Sequence, residues 1–101
     1  MSSELLHDFL LGFIRIHILH RVHREPIYGQ EFKQELARHG YDISFGTLYP
    51  IFHDLEEQGY LASKIKIIKG KVRRYYFITA KGVKALKQSK HKAKELFNEL
   101  F

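Results

Sequence analysis

The chain has 101 residues, of which 45% are hydrophobic, so it is long enough for one small core and too short for a second domain. It has no cysteine, which excludes a disulfide framework and a thiolate zinc site and leads us to expect a protein of the reducing cytoplasm. Its net charge of +6 is unevenly placed, because residues 60–94 carry twelve Lys/Arg and no Asp/Glu, as is typical of a surface that meets a polyanion.

The first predicted helix covers residues 4–23. Its apolar residues occupy more than one helical stripe, so we expect one side to pack within the domain and the other against a second protomer. Glu4 and Asp8 stand where a signal peptide would be basic, and Arg15 and His17 interrupt the apolar stretch. We therefore expect neither a signal peptide nor a membrane span.

Two shorter helices are predicted next, over residues 28–39 and 44–58. Gly40 supplies a left-handed stop to the first of them. Ser44 begins the second, because its hydroxyl can accept a hydrogen bond from a free backbone N–H, and Gly59 ends it. The apolar stripe of this third helix consists of Leu48, Phe52 and Leu55.

Residues 61–79 predict a β-hairpin, because two runs rich in β-branched and aromatic residues flank a short link made of Lys69, Gly70 and Lys71. The cationic residues of the hairpin are Lys64, Lys66, Lys69, Lys71, Arg73 and Arg74. These cations would allow the hairpin to contact the phosphates of a nucleic acid. Lysines that merely protect solvated strand edges would give the same pattern.

The last predicted helix covers residues 80–101 and begins at the capping residue Thr79. Its apolar positions alternate by three and four, which is typical of a helix that packs on another helix. We expect this apolar seam to have no partner in its own domain. Together with the first helix, it should form the interface with a second protomer. The predicted dimer interface comprises Leu6, Phe9, Leu10, Phe13, Leu86, Ala93, Phe97 and Leu100.

Three helices followed by a hairpin and a last helix predict a fold that is mainly α with a small β-hairpin. This is the element order of a winged helix-turn-helix with a C-terminal dimerisation helix, in one domain spanning residues 1–101. In that fold the third helix enters the major groove of DNA and the hairpin lies along the backbone.

Two segments carry a family resemblance. The first is Ser44-Phe45-Gly46-Thr47-Leu48-Tyr49-Pro50 with His53, Leu55, Glu56 and Gly59; the second is Gly70-Lys71-Val72-Arg73-Arg74-Tyr75-Tyr76 with Thr79, Lys81 and Gly82. Together with Tyr28-Gly29 they resemble the PadR family. Two positions depart from its pattern: Val72 stands where proline is frequent, and Asp54 where a basic residue is frequent.

The resemblance implies a transcriptional regulator, usually a repressor, which dimerises through its first and last helices and binds a palindromic operator in double-stranded DNA. Some relatives bind a small, flat aromatic effector between protomers. This sequence has no Trp to stack on such a ligand, so an effector pocket would depend on phenylalanine. The phenylalanines available for it are Phe9, Phe13, Phe97 and Phe101.

The front of the third helix and the wing supply the predicted DNA contacts. Ser44 and Thr47 offer hydroxyls for phosphates or base edges, and the positive end of the helix dipole attracts phosphate. Because Asp54 would repel phosphate, we expect the far end of this helix to point away from DNA. The predicted contacts are Tyr28, Ser44, Gly46, Thr47, Tyr49, Pro50, His53, Lys69, Lys71, Arg73 and Arg74.

Other kinds of site have little support in the sequence. His17, His20 and His23 recur every third residue, so the third swings off the helical face that the first occupies, and we predict no metal and no cofactor. No nucleophile has a base and an orienting partner, so we predict no enzyme. Two alternatives to a sequence-specific regulator remain open: a winged-helix interaction module whose basic face binds an acidic protein or membrane surface, and a nonspecific architectural DNA-binding protein.

Overall fold

Seven elements form the fold in the computed structural model, which describes residues 4–101; residues 1–3 of the predicted domain lie outside the described residues. The elements are α1 (Glu4–Arg24), β1 (Ile27–Tyr28), α2 (Gly29–Arg38), α3 (Phe45–Glu57), β2 (Leu61–Ile68), β3 (Lys71–Ile78) and α4 (Ala80–Leu100). The strands form an antiparallel sheet in the order β1-β3-β2. The predicted fold class, a mainly α winged helix-turn-helix with a small sheet, is confirmed.

Helix α1 has a buried half and an exposed half. Four residues of its C-terminal part lie in the core: Ile14, Ile18, Leu19 and Val22. Toward the N-terminus, Leu5, Phe9 and Phe13 are exposed. The helix therefore contacts its own domain along only part of its length. Among residues 4–101, no helix is both long and apolar enough to cross a membrane.

Strand β1 is a feature that the sequence analysis missed, since it predicts a helix from residue 28. Ile27 pairs with Tyr76, and Tyr28 pairs with Tyr75. Tyr28 is extended and precedes α2, and its backbone N–H donates a hydrogen bond to Glu31 Oε1 at 3.1 Å. Two residues are too few to show the alternation by which a strand is recognised in a sequence.

The wing, residues 61–78, consists of β2, β3 and the turn between them. Ile68 pairs with Lys71, so only Lys69 and Gly70 form the turn, and the predicted three-residue link is wrong by one residue. Their φ angles are 52° and 78°, the positive values that a type I′ hairpin turn requires at both central positions. Glycine meets this requirement without strain, whereas Lys69 adopts a conformation uncommon for a residue with a side chain.

The core is formed where α2, α3 and the sheet meet α1. The ring of Phe52 lies 5.9 Å from that of Phe32 and 4.6 Å from that of Tyr76, between centroids. Phe52 therefore joins α3 to α2 on one side and to β3 on the other. These contacts fix the position of α3 relative to the wing.

The beginning of α4 belongs to this core. Thr79 caps the helix by accepting a hydrogen bond from the Gly82 N–H at 3.0 Å. A side chain at Gly82 would collide with the carbonyl oxygen of Tyr60, so glycine permits the close approach. Leu86 is only 1% exposed. Its predicted place in the dimer interface is therefore wrong, because the heptad-like pattern continues from the domain core into the exposed part of the helix.

Candidate nucleic-acid interface

The front of α3 is held by its own first residues. Ser44 has the extended backbone of an N-cap, and its Oγ accepts a hydrogen bond from the Thr47 N–H at 3.2 Å. The two hydroxyl oxygens lie 3.1 Å apart. Both side chains are exposed, as are those of the neighbouring positions Gly46 and Pro50. The hydroxyls therefore combine a structural role in the cap with access from solvent.

A row of aromatic rings runs along one exposed flank of α3. The centroids of Phe45 and Tyr49 are 6.0 Å apart, and those of Tyr49 and His53 are 6.4 Å apart with nearly parallel rings. The i, i+4 spacing places the three side chains one above another on the same face. His53 Nε2 also lies 3.4 Å from Glu57 Oε1. Phe45 was missed by the sequence analysis, although its position four residues before Tyr49 is a signal that could have identified it.

A groove of about 550 Å³ separates this flank of α3 from β3, and we call it the α3–wing groove. It is lined by Tyr28, Gly29, Gln30, Gln34, Phe45, Tyr49, Lys71, Val72, Arg73, Arg74 and Tyr76. Residues from three distant segments of the chain thus border one surface. Gln30 and Gln34 of α2 were not predicted as site residues. A Cβ atom at Gly29 would lie 2.7 Å from Phe45 Cε2, so the absent side chain leaves room for the ring.

Strand register divides the wing residues between two faces, since directly opposite residues of an antiparallel pair lie on the same face. The inner face contains Leu61, Ser63, Ile65, Ile67, Val72, Arg74, Tyr76 and Ile78. Contacts with α3 identify it: Tyr76 packs on Phe52, and Ser63 Oγ donates a hydrogen bond to Glu56 Oε2 at 2.6 Å. Arg74 Nη1 in turn donates to Ser63 Oγ at 2.9 Å.

The outer face carries cations stacked on aromatic rings. Arg73 Cζ lies 4.4 Å from the centroid of Tyr28, and Tyr28 packs edge-on against Tyr75. Lys66 Nζ lies 5.3 Å from the ring of Tyr75. Lys64 lies on the same face with its Nζ near the ring of Phe77. The six cations predicted to act together therefore lie on different faces, and three of them, at positions 71, 73 and 74, line the α3–wing groove.

The two ends of α3 differ in charge. The front has the free N–H groups and no acidic residue in its first turn. Toward the other end, Asp54 Oδ2 lies 3.9 Å from Arg15 Nη2 of α1. Asp54, which stands where the PadR pattern often has a basic residue, thus forms an ion pair with Arg15 within the fold.

Burial raises the pKa of Tyr76, and the nearby Glu56 carboxylate and the Tyr49 phenol act in the same direction, while Arg74 opposes them. The phenol, which is neutral near pH 7 even at its ordinary pKa, thus stays neutral to still higher pH. A neutral hydroxyl can donate a hydrogen bond to an anionic oxygen and does not repel it.

The arrangement of α3, the wing and α4 has clear counterparts. Residues 18–88 match the model of the Transcriptional regulator PadR-like family. The protein called Transcriptional regulator Rv3488, from Mycobacterium tuberculosis, is 39% identical over 95 residues, which are 94% of this chain and 89% of that protein. The chain belongs to the PadR-like family of transcriptional regulators.

Solved structures of PadR-like proteins share the fold over nearly the whole chain. A PadR family transcriptional regulator from Eggerthella lenta superposes with a TM-score of 0.86 at 33% identity, covering 97% of this chain and 87% of that one. A PadR-like transcriptional regulator from Bacillus cereus gives a TM-score of 0.76 at 31% identity, covering 92% and 95%. The protein is therefore a transcriptional regulator and not an enzyme.

This PadR-like regulator has a second exposed surface, between α1 and α4. A cavity of about 990 Å³ opens there, which we call the α1–α4 groove. Phe9, Phe13 and Phe97 line it, whereas Phe101 is fully exposed and does not. Of the other residues predicted for a dimer interface, Leu10 and Ala93 are half-buried, and Leu6 and Leu100 are exposed.

Histidines contribute to the lining of the α1–α4 groove. His17 Nε2 lies 3.0 Å from Glu35 Oε2, and Arg21 Nε donates to the other oxygen of that carboxylate at 3.0 Å. Burial lowers the pKa of His20, and the positive charge of Lys90 contributes in the same direction. Among residues 4–101, no three His, Asp or Glu side chains are grouped so as to hold a metal ion.

Proposed function

We propose that this PadR-like regulator binds double-stranded DNA sequence-specifically as a homodimer and represses transcription from a palindromic operator. The observation that supports the proposal best is the α3–wing groove. It places the exposed flank of the third helix and the cations of the wing on two sides of one surface, as a duplex bound by both elements requires.

The lining of the groove suits one strand of the DNA backbone, because it contains the cations Lys71, Arg73 and Arg74. With α3 in the major groove, the adjacent phosphates pass between Tyr49 and the wing, within reach of Lys71 and Arg74. Tyr28 holds the guanidinium of Arg73 beside the same groove. These contacts position the protein and are largely independent of sequence.

Sequence preference would come from the front of α3. Thr47 lies in the first turn with an exposed hydroxyl, at the part of a recognition helix that contacts base edges. The helix dipole adds attraction for phosphate at this end. At the other end Asp54 is paired with Arg15, so its charge is partly compensated away from DNA. Exposed hydroxyls at the front favour specific binding over purely architectural binding.

The α1–α4 groove supports the homodimer. A small domain buries a limited share of its surface, and this one leaves Phe9, Phe97 and Leu100 exposed. A second copy that covers these residues with its own α1 and α4 removes the same apolar surface from water twice. Two recognition helices would then bind half-sites about one helical turn, or ~34 Å, apart.

A small aromatic effector is a second candidate ligand, at the dimer interface. The α1–α4 groove has the volume and the phenylalanine lining for one. Its described lining includes the cations Lys90 and Lys94 and no acidic residue. An aromatic carboxylate therefore fits this groove better than an aromatic cation.

The decisive experiment is a fluorescence-anisotropy titration of the purified protein with DNA from its own promoter region and with a scrambled duplex of equal length. We expect tighter binding to the promoter DNA. Equal affinities would leave only architectural binding. Weak binding to both at low salt would favour a module that binds an acidic protein.

A further inference from the structure

Three β-branched apolar residues of the wing lie in water. Ile65 is 57% exposed, Ile67 is 73% exposed and Val72 is 67% exposed. None of them belongs to the hydrophobic core of the described residues. We call these three residues the apolar strip. The folded chain does not bury these three residues. Their joint exposure therefore points to a contact outside the chain.

Strand register places the whole strip on the inner face of the wing. Ile67 pairs with Val72, and Ile65 pairs with Arg74, so these side chains share one face. Farther along the same face, Tyr76 and Ser63 contact α3. The strip therefore continues the surface to which α3 belongs, beyond the point where α3 covers it.

The surroundings of the strip are positively charged. Arg74 lies on the same face directly across from Ile65, and Lys69 and Lys71 flank the strip at the tip. The segment 60–94 that contains the wing has no acidic residue. An occupant must therefore combine apolar walls with negative charge along its edges.

The minor groove of DNA has this combination, because its walls are deoxyribose rings and its rims are phosphates. A duplex that holds α3 in its major groove passes one backbone strand through the α3–wing groove and presents its minor groove next. Val72 lines the α3–wing groove, so the strip begins where that strand would pass. Apolar side chains are known to insert into the minor groove in other DNA-binding proteins.

We propose that Ile65, Ile67 and Val72 pack on deoxyriboses of the minor groove that flanks each half-site, and that this contact adds affinity independent of salt. The inference rests on the proposed function, because it requires DNA on α3. It assigns the inner face of the wing to an apolar contact, whereas the cations supply the electrostatic one.

The test compares two variants of the full-length protein in titrations of the promoter duplex at several salt concentrations. In the first, Ile65→Ser and Ile67→Ser are combined; the second, Lys71→Ala, is the matched control at the tip. We expect the double variant to bind about tenfold more weakly with an unchanged slope of log K against log[salt]. Lys71→Ala should lower the slope by about 2 in the dimer, since it removes one phosphate contact from each protomer.

Two further measurements locate the contact. Hydroxyl-radical footprinting measures the solvent accessibility of the deoxyriboses. DNA bound by the double variant should lose protection in the minor groove beside each half-site and keep protection elsewhere. Ile67→Thr retains the β-branched side chain that suits a strand, so its loss of affinity, smaller but in the same direction, separates the contact from the folding of the hairpin.

The outcomes are distinguishable. Wild-type protein that binds no DNA would overturn the proposed function and this inference together. Wild-type binding with an unaffected double variant would overturn the inference alone, as would a lowered salt slope in that variant. A smaller mass of the double variant in light scattering, with DNA binding retained, would assign the strip to contacts between copies of the chain.

Discussion

The α3–wing groove and the α1–α4 groove are both open to solvent, yet their exposure has different energetic consequences. Cations such as Lys71 and Arg74 are well solvated in the free protein, so the cationic part of the α3–wing groove is stable while empty. Phe9 and Phe97 instead leave apolar surface in water, which favours a second copy at the α1–α4 groove. The comparison indicates that the cationic part of the α3–wing groove is stable without a ligand, whereas the proposed dimer would cover the apolar residues of the α1–α4 groove.

The largest expected effect comes from placing a charge in the α1–α4 groove. Phe97→Glu should yield monomers, because the carboxylate would be buried in the interface. Loss of simultaneous binding to two half-sites should then weaken operator binding by about 100-fold or more. Light scattering and anisotropy titration measure the two effects.

The matched control for this variant is Gln88→Glu. It adds the same charge nine residues earlier, on the opposite side of α4, because successive residues of a helix are 100° apart. The control should remain dimeric and bind the operator normally. A Phe97→Glu protein that stays dimeric would show that α4 does not form the interface.

A second experiment separates the two halves of α4. Leu86→Ala should lower the free energy of unfolding by about 2–5 kcal/mol, because it leaves a cavity in the core where Leu86 is 1% exposed. Denaturant titration measures the loss, and light scattering should still show a dimer. A Leu86→Ala protein that is monomeric but as stable as the wild type would show that Leu86 belongs to the dimer interface.

A third experiment separates the cap of α3 from its contact with DNA. Ser44→Ala should lower the free energy of unfolding by about 1 kcal/mol, because the Thr47 N–H loses its side-chain acceptor. Ser44→Asp keeps an acceptor and should restore stability, but its charge should repel phosphate and weaken DNA binding. Thermal melts and titrations of both variants test this; an Asp variant with normal DNA affinity would remove Ser44 from the proposed interface.

The smallest expected effect concerns pH. Since the pKa of His20 in the folded chain lies below the usual 6.5, the unfolded chain binds more protons as pH falls through 6.5. The free energy of unfolding should therefore decrease from pH 7.5 to pH values below the folded pKa. His20→Gln should lessen this decrease in denaturant titrations. An identical pH dependence in the wild type and the variant would contradict the assignment.

Local sequence was sufficient to predict the elements whose signals lie within a few residues. Ser44 marks the beginning of α3 because a capping hydroxyl acts on the N–H three residues later. The wing follows from β-branched runs on either side of a Lys-Gly turn. The concentration of positive charge in residues 60–94 is a property of the sequence itself. These features explain why the fold class and the family resemblance could be obtained before the structure was known.

Only the tertiary structure decided which neighbour each surface meets. The pairing of Tyr28 with Tyr75 joins residues far apart in the chain, so nothing near Tyr28 predicts β1. A heptad-like pattern locates the apolar side of α4 but does not distinguish Leu86, which its own core covers, from Phe97. Likewise, alternation gives the wing two faces, and the packing of Tyr76 on Phe52 determines that the apolar strip lies on the side of α3. Hydrophobic periodicity and secondary-structure propensity are properties of one segment, whereas the burial of a residue depends on how distant segments pack together.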